Sequence, residues 1–257
     1  MLLPLESEVR PARHATGLQV SLARTSADVE AAQRLRHAVF VEEMGASTAS
    51  RRPGIEEDMF DAWCEHLVVR DAANDEVVGT YRILTPEQAR RLGTYYAETE
   101  FDLTRLQLLR DGICEVGRAC VHPAWRSGAV IARLWQGIAR LVIERDYAFL
   151  IGCASMSMAD GGEAASRVAA HFMPAHLAPI EYRVFPRHPL AGREDADAPG
   201  HWDVGEAAPL LRAYLRLGAW IGGQPAWDPE FNTADFFLFL PLSRVSARHA
   251  RRFLEAA

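Results

Sequence analysis

The sequence predicts an α/β fold built on a mixed central sheet, and three observations carry that prediction. Residues 113–121, Ile-Cys-Glu-Val-Gly-Arg-Ala-Cys-Val, read as an apolar strand bounded by Gly112 and Pro123, which bars any further ladder. After a turn at 122–127, residues 129–145 place Ile131, Leu134, Trp135, Ile138, Leu141 and Val142 at helical spacing. Residues 148–155 then return as a continuous apolar run, the pattern of a buried strand lying beside the first. Strand, basic turn and helix in that order present backbone N–H groups and a helix N-terminus to an anion. Only Glu115 and Arg118 break the apolar run of the first strand.

Composition bounds the function. A chain of 257 residues, 49% hydrophobic and 24% charged, has ample length for a buried core. Its net charge of −6 argues against a general nucleic-acid binder, which carries a basic surplus. Every basic residue other than histidine is arginine. The absence of lysine removes Schiff-base, pyridoxal-phosphate and P-loop chemistry. Cys64, Cys114, Cys120 and Cys153 stand at unrelated spacings and read as reduced thiols in strands. His37, His66, His171, His176 and His201 show no H-x-x-x-H spacing, so no metal site is expected. Residues 1–17 hold charges and no long apolar core, which predicts a loose tail rather than a signal peptide. The apolar run 236–240 is far short of a membrane span, and a cytoplasmic address is expected.

The remaining elements follow in order. Residues 18–23 suit a first strand. Thr25 and Asp28 resemble a capping box opening a helix to about residue 41, and 42–53 reads as an exposed loop. An acidic knot, Glu56, Glu57, Asp58 and Asp61, comes next; taken alone it is a solvated charge run. Residues 65–70 and 76–84 flank the turn formers of 71–75 as a hairpin. Thr85, Pro86 and Gln88 open a helix. Residues 95–101 form a connector and 104–110 a short helix. Residues 163–172 are helical. Residues 174–205, with Pro186, Pro189 and Pro199, read as an insertion or lid around a strand at 182–185. A helix over 208–217 stops at Gly218. Residues 225–235 lead into a last strand, 236–241, and a basic helix over 246–254 closes the chain. Residues 18–257 are expected to form a single domain.

The stretch 113–131 resembles the fourth strand, pyrophosphate turn and following helix of the GNAT superfamily of N-acyltransferases. More narrowly, residues 115–131 and 225–235 are similar to bacterial acyltransferases that place a 3-hydroxyacyl chain on the α-amine of ornithine. The donor in that family is acyl carrier protein, and the product is lyso-ornithine lipid. A second resemblance covers Leu35-Arg36…Phe40, Glu57-Asp58…Asp61, Gly79…Arg82 and Glu115-x-x-Arg118. This is similar to the ordered pattern of acyl-homoserine-lactone synthases, which share the GNAT fold. The resemblance implies a sheet whose fourth and fifth strands splay, flanked by helices, with the acyl-pantetheine arm in the gap and a C-terminal extension.

Acyl transfer from a thioester to an amine needs a base for the amine, donors for the oxyanion and a proton for the leaving thiol. Glu115 on the central strand is the candidate base, directly or through a water, with Arg118 as its neighbour; the bland alternative is a structural pair between the two. Backbone N–H groups near Cys120, Val121 and His122 are candidate oxyanion donors. Arg126, Ser127, Gly128 and Ala129 would receive the phosphate of the pantetheine. This turn is one residue shorter than the usual GNAT pattern, which favours the single phosphate of acyl carrier protein over coenzyme A. No tightly bound cofactor is expected; acyl-phosphopantetheine or acyl-CoA is a co-substrate.

An amino-acid acceptor needs cations for its carboxylate, for which Arg36, Arg82 and Arg118 are candidates. Ornithine also needs acids for its side-chain ammonium, and Glu57, Asp58, Asp61 and Asp228 are candidates. The expected partners are acyl carrier protein, docked on Arg118, Arg126 and Arg133, and an anionic membrane touched by the C-terminal helix. Three other readings stand beside this one: an acyltransferase for glycine or another small amine, a signal synthase, and a binding module with a degenerate site. Such synthases are usually shorter and lack the 225–235 segment, while intact Glu115 and Arg118 argue against degeneracy.

Overall fold

A computed structural model describes residues 17–190, 209–246 and 248. The expected tail, the inner part of the expected insertion and most of the expected C-terminal helix lie outside the described residues.

Local signals set the elements. β1 (Leu18–Leu22) leads to α1 (Ser26–Arg36), where Thr25 and Asp28 close the capping box. The helix widens into a π-turn, His37–Glu43, instead of continuing as α-helix. β2 (Glu65–Asp71) and β3 (Val77–Leu84) form the hairpin. Thr85 caps α2 (Pro86–Leu92), which ends at Gly93 with φ 90°. A 3-10 turn (Tyr96–Thr99), the short β4 (Phe101–Asp102) and a 3-10 stretch (Thr104–Gly112) connect to β5 (Ile113–Val121). α3 (Ala129–Glu144), β6 (Phe149–Ser157) and α4 (Glu163–His176) follow. β7 (Phe185–Pro186) pairs with β4, and α5 (Pro209–Leu217) ends at Gly218. β8 (Trp220–Ile221), β9 (Ala226–Asp228) and β10 (Thr233–Pro241) complete the described strands.

Two strand expectations are corrected. Residues 182–185 are not a strand: Ile180–Tyr182 is a 3-10 turn, and only Phe185–Pro186 pairs. Prolines at 179, 186 and 189 punctuate this segment and withhold ladder donors. The last strand starts at Thr233, three residues early, because β9 folds back onto it. Asp228 Oδ1 fixes that reversal by accepting the Glu230 and Phe231 N–H groups at 2.8 and 3.2 Å.

The sheet order is β1-β2-β3-β5-β6-β10-β8, with β9 also on β10. Among the described strands only β5 and β6 run parallel, and they share three registered pairs, ending at Glu115–Ile151. Beyond that point the strands part, as expected. β6 stays with β10 along its full length, while β5 stays with β3. A bulge on β5 sets Arg118 and Ala119 opposite Tyr81, with Arg118 in the left-handed region at φ 52°. Bulges bend and twist a strand, which turns β5 away from β6. Gly152 sits where the fork closes, and a Cβ there would lie 2.3 Å from the Val116 carbonyl oxygen. Apolar cores cover both faces, α3 and α5 packing one and Phe237 and Phe239 filling the other. Among the described residues no helix is long and apolar enough to cross a membrane.

Candidate active site

The acidic knot is not solvated. Ile55–Asp61 folds over the ends of α1, β3 and β5 and neutralises one buried arginine from each. Arg36, with no exposed surface, meets Glu56 at 2.5 Å and Asp61 at 2.6 Å. Arg82 donates to Asp58 at 2.6 Å and Asp61 at 3.0 Å. Arg118 donates to Glu56 at 3.2 Å and Asp58 at 3.1 Å. Burial pushes the Asp61 carboxyl up, but Arg36 and Arg82 outweigh it and hold Asp61 well below the ordinary carboxylate range. Rings wall the cluster: Arg82 lies over Phe60 and Tyr96, and Arg118 over Tyr96 and Phe231 at 4.5 and 4.4 Å. Such stacking suits planar, weakly hydrated guanidinium groups.

Four of the expected acceptor residues, Arg36, Asp58, Asp61 and Arg82, are therefore together with Arg118. Glu57 is not among them; it points outward toward Arg52 at 3.5 Å, and its neighbour Glu56 takes the buried place. Asp228 is occupied by its own turn. Arg118, buried in this cluster, does not belong to an exposed docking face.

Glu115 and Arg118 do not pair. The Glu115 carboxylate instead accepts the Tyr96 and Ala97 N–H groups, both at 2.7 Å, and so anchors the 3-10 turn. Burial raises its pKa to about 7, against the opposing pull of those two N–H groups and Arg82. Each carboxylate oxygen has a second lone pair, so anchoring leaves capacity to take a proton. A pocket at the fork is lined by Glu115, Val116, Gly117, Arg118, Tyr96, Cys153 and Asp235. Val116 and Cys153 also line a narrow cavity that reaches Leu150, Tyr214 and Leu240. Those three residues border in turn an apolar cavity of about 170 Å³ under Trp135, Ile138 and Ala139. The charged pocket and the apolar one are thus separate cavities that share walls with a small cavity of about 10 Å³ between them, along the gap between β5 and β6.

The phosphate turn has the expected shape. Gly128 (φ 91°) precedes the sixteen-residue α3, and Arg126, Ser127 and Gly128 are exposed there, with Ala129 opening the helix. Arg126 is held by Glu43 through two contacts, at 2.6 and 2.7 Å. An incoming phosphate would exchange with that carboxylate. His122 is corrected as an oxyanion donor, because its N–H goes to the Val78 carbonyl at 2.9 Å. Cys120 and Val121 stay in the ladder to β3.

A family model described as "Acetyltransferase (GNAT) domain" matches residues 35–136. An L-ornithine N(alpha)-acyltransferase from Rhodobacter capsulatus is 36% identical over 243 residues, covering 90% of this chain and 92% of the relative. Its counterpart in Brucella abortus is 34% identical over 251 residues, covering 90% and 87%. The chain belongs to the L-ornithine N(alpha)-acyltransferase family. It is an acyltransferase of GNAT fold. The AHL synthase LasI shares that fold at 13% identity, with a TM-score of 0.53 over 93% of this chain and 94% of LasI. BjaI, a CoA-dependent acyl-homoserine lactone synthase, does so at 16% identity and a TM-score of 0.53, over 90% and 82%.

Beyond Glu56, sequence reasoning missed Tyr96 and Asp235, which line the pocket. Asp235 carried a usable signal: like Glu115, it is an acid bordering an apolar strand run.

The arginine cluster predicts a large stability effect. Arg36→Met leaves Glu56 and Asp61 buried short of a cation, which typically costs about 3–5 kcal/mol. At roughly 2–4 °C per kcal/mol for a chain of this size, the thermal midpoint should fall by roughly 6–20 °C. Arg34→Met, on the exposed face of α1, is the control and should shift it by about 2 °C or less. Matching midpoints would show the cluster to be electrostatically idle.

Proposed function

We propose that this acyltransferase moves a 3-hydroxyacyl chain from acyl carrier protein to the α-amine of L-ornithine, giving lyso-ornithine lipid. The observation that carries the reading is the alignment of three neighbouring cavities, from the Glu115 pocket along the β5–β6 gap to the apolar cavity under α3, separated by shared side-chain walls. A long acyl chain needs such dry space, and a transferred acetyl group does not. The relatives' names support the acceptor, and the short Arg126–Gly128 turn supports a donor with one phosphate. Carrier-protein docking then falls to Arg126 and Arg133, in the cytoplasm where that donor is found. Contact with an anionic membrane through residues 246–254 belongs to the same reading.

In the reaction the α-amine attacks the thioester carbonyl, a C–N bond forms and the C–S bond breaks. Glu115 takes the amine proton and passes it to the pantetheine sulfur as the C–S bond breaks, so that the sulfur leaves as the thiol. The β5 edge facing the gap has no registered strand partner beyond Glu115, which makes it the side from which backbone N–H groups can meet the oxyanion. Incubation with 3-hydroxyacyl carrier protein, the matching acyl-CoA and a panel of amino acids, read by mass spectrometry, tests the reading. N-acyl-ornithine should dominate, with kcat/KM higher for the carrier-protein donor. Faster acylation of glycine, or an equal rate from acyl-CoA, would overturn the respective half.

Glu115→Gln should lower kcat by about 10²–10⁴-fold. In the wild type, kcat should rise with pH through about 7 as Glu115 loses its proton, and the variant should lack that inflection. Stability gives an independent sign. A folded-state pKa of about 7 against an ordinary 4.5 means the folded chain holds the proton longer. Stability relative to the variant should therefore fall as pH rises from about 4.5 to 7. A kcat within threefold of wild type would leave Glu115 as an anchor alone.

Ala139→Trp fills the apolar cavity without touching the charged pocket. The ratio of kcat/KM for a palmitoyl-length donor over a butyryl donor should fall by at least about tenfold, since burying several methylenes is worth about 0.8 kcal/mol each. An unchanged ratio would put the chain elsewhere.

A further inference from the structure

The charges around the cleft do not balance. Arg36, Arg82 and Arg118 are matched by Glu56, Asp58 and Asp61. Four more acids surround the same space. Glu115 and Asp228 are satisfied by backbone N–H groups. The other two, Glu100 and Asp235, face each other with no cation between them. Glu100 is 8% exposed, and neither of its carboxyl oxygens accepts a hydrogen bond from any N–H or O–H among the described residues. Asp235, at 4% exposure, accepts from the Thr233 hydroxyl at 2.8 Å, and its other hydrogen-bonding neighbours are the Ser155 side chain and Glu100 itself. One ligand atom each from Glu100, Asp235 and Cys153 lie within 4.8 Å of one another. Asp235 and Cys153 line the Glu115 pocket, so this acidic recess opens into the cleft where acyl transfer would occur.

We propose that Glu100 and Asp235 form the subsite for the second, distal ammonium of a diamino-acid acceptor. The inference rests on the acyltransferase reading above and adds what selects the amine. Two adjacent buried carboxylates repel and are poorly solvated, and only a shared proton or a bound cation relieves both costs. Burial raises both groups first; Asp235 and then Asp228 raise Glu100 further, whereas hydrogen bonds from Glu100, Ser155 and Thr233 act downward on Asp235. An ammonium supplies three N–H donors and no acceptor, which matches a recess of carboxyl oxygens with nothing to accept. Its arrival displaces the shared proton. A metal ion fits less well, because burial keeps the Cys153 thiol protonated and a thiol is a poor metal ligand. The consequence is selectivity. A site built to receive a buried N–H rejects an analogue without it far more strongly than an apolar pocket rejects a missing methylene.

Calorimetry on the full chain, with L-ornithine and with L-norvaline, its analogue lacking the distal amine, tests this without requiring turnover. Ornithine should bind at least about 100-fold more tightly than norvaline. Its apparent heat should change with buffer ionisation enthalpy at pH 7, reporting proton release. Glu100→Gln and Asp235→Asn should each cut that preference to within about tenfold and abolish the release. In steady state they should raise the KM for ornithine with a smaller effect on kcat, a split that a general packing defect would not give. Should either variant unfold, the wild-type comparison still decides the question, since equal binding of ornithine and norvaline would overturn the subsite.

Several results would overturn the subsite. One is an undiminished preference in both folded variants; another is wild-type binding without proton release. A third is tight Zn²⁺ binding lost in Cys153→Ser, which would make the recess a metal site. The two readings separate cleanly. If both variants acylate ornithine with unchanged KM, the subsite falls and the proposed function stands. If the enzyme acylates another diamine and not ornithine, and the variants lose that diamine, the function falls and the subsite stands.

Discussion

The structure depends on the neutralisation of three buried arginines by a single loop. Arg36 ends α1, Arg82 lies in β3 and Arg118 sits at the bulge of β5. None of these guanidinium groups tolerates burial alone. Glu56, Asp58 and Asp61 come from one turn of chain, so satisfying the arginines also fixes that turn across three elements. Asp58 does so twice over, accepting the Phe60 N–H at 2.8 Å while holding Arg82 and Arg118. The loop also delivers Phe60, which meets Tyr96 edge-on with ring centroids 5.4 Å apart. Tyr96 in turn belongs to the 3-10 turn that Glu115 anchors. Electrostatics and aromatic packing thus assemble one wall of the cleft from residues that are distant in sequence.

The opposite wall follows from backbone geometry. A bulge on β5 and an unbroken ladder between β6 and β10 force the parallel pair β5 and β6 to part. Gly152 lets the strands converge closely just before they separate. Small and apolar cavities lie along the gap toward the space beneath α3. Tyr81 and Tyr214, linked hydroxyl to hydroxyl at 3.0 Å, stand beside these cavities with their polar atoms paired. The cavities along the gap therefore change from charged lining beside Glu115 and Arg118 to apolar lining beneath α3.

Much of this was legible in the chain, and the failures have physical causes. Capping boxes at Thr25 and Thr85, the 71–75 hairpin turn and the helical stripe of α3 are local signals, and each formed as expected. The strand-turn-helix around Glu115 was equally plain. The buried role of the acidic knot was not, because composition alone reads clustered acids as solvated. Only the tertiary arrival of three arginines reverses that reading. The same reliance on tertiary partners explains the slip from Glu57 to Glu56, since loop residues carry no periodicity to say which side chain turns inward. Glu115 beside Arg118 invited an ion pair by proximity in sequence. The left-handed backbone at Arg118 instead sends its side chain to the loop and leaves Glu115 to the amides of Tyr96 and Ala97.

Two sets of buried carboxyls around one cleft show how environment divides labour among identical groups. Glu115 receives two N–H groups, which oppose burial and leave its pKa near neutrality, where a group can both hold and release a proton. Glu100 and Asp235 face one another instead; burial raises both, and Asp235 raises Glu100 further. The first arrangement suits proton transfer and the second suits recognition. An acceptor with two amines would be read at both ends. Its distal ammonium, charged, would settle against the paired acids, and its α-amine, losing a proton, would face Glu115. A monoamine would leave the recess unfilled and gain nothing from it. Selectivity for a diamino acid and activation of the correct nitrogen then arise from the same asymmetry, with no lysine, metal or further cofactor needed to distinguish the two.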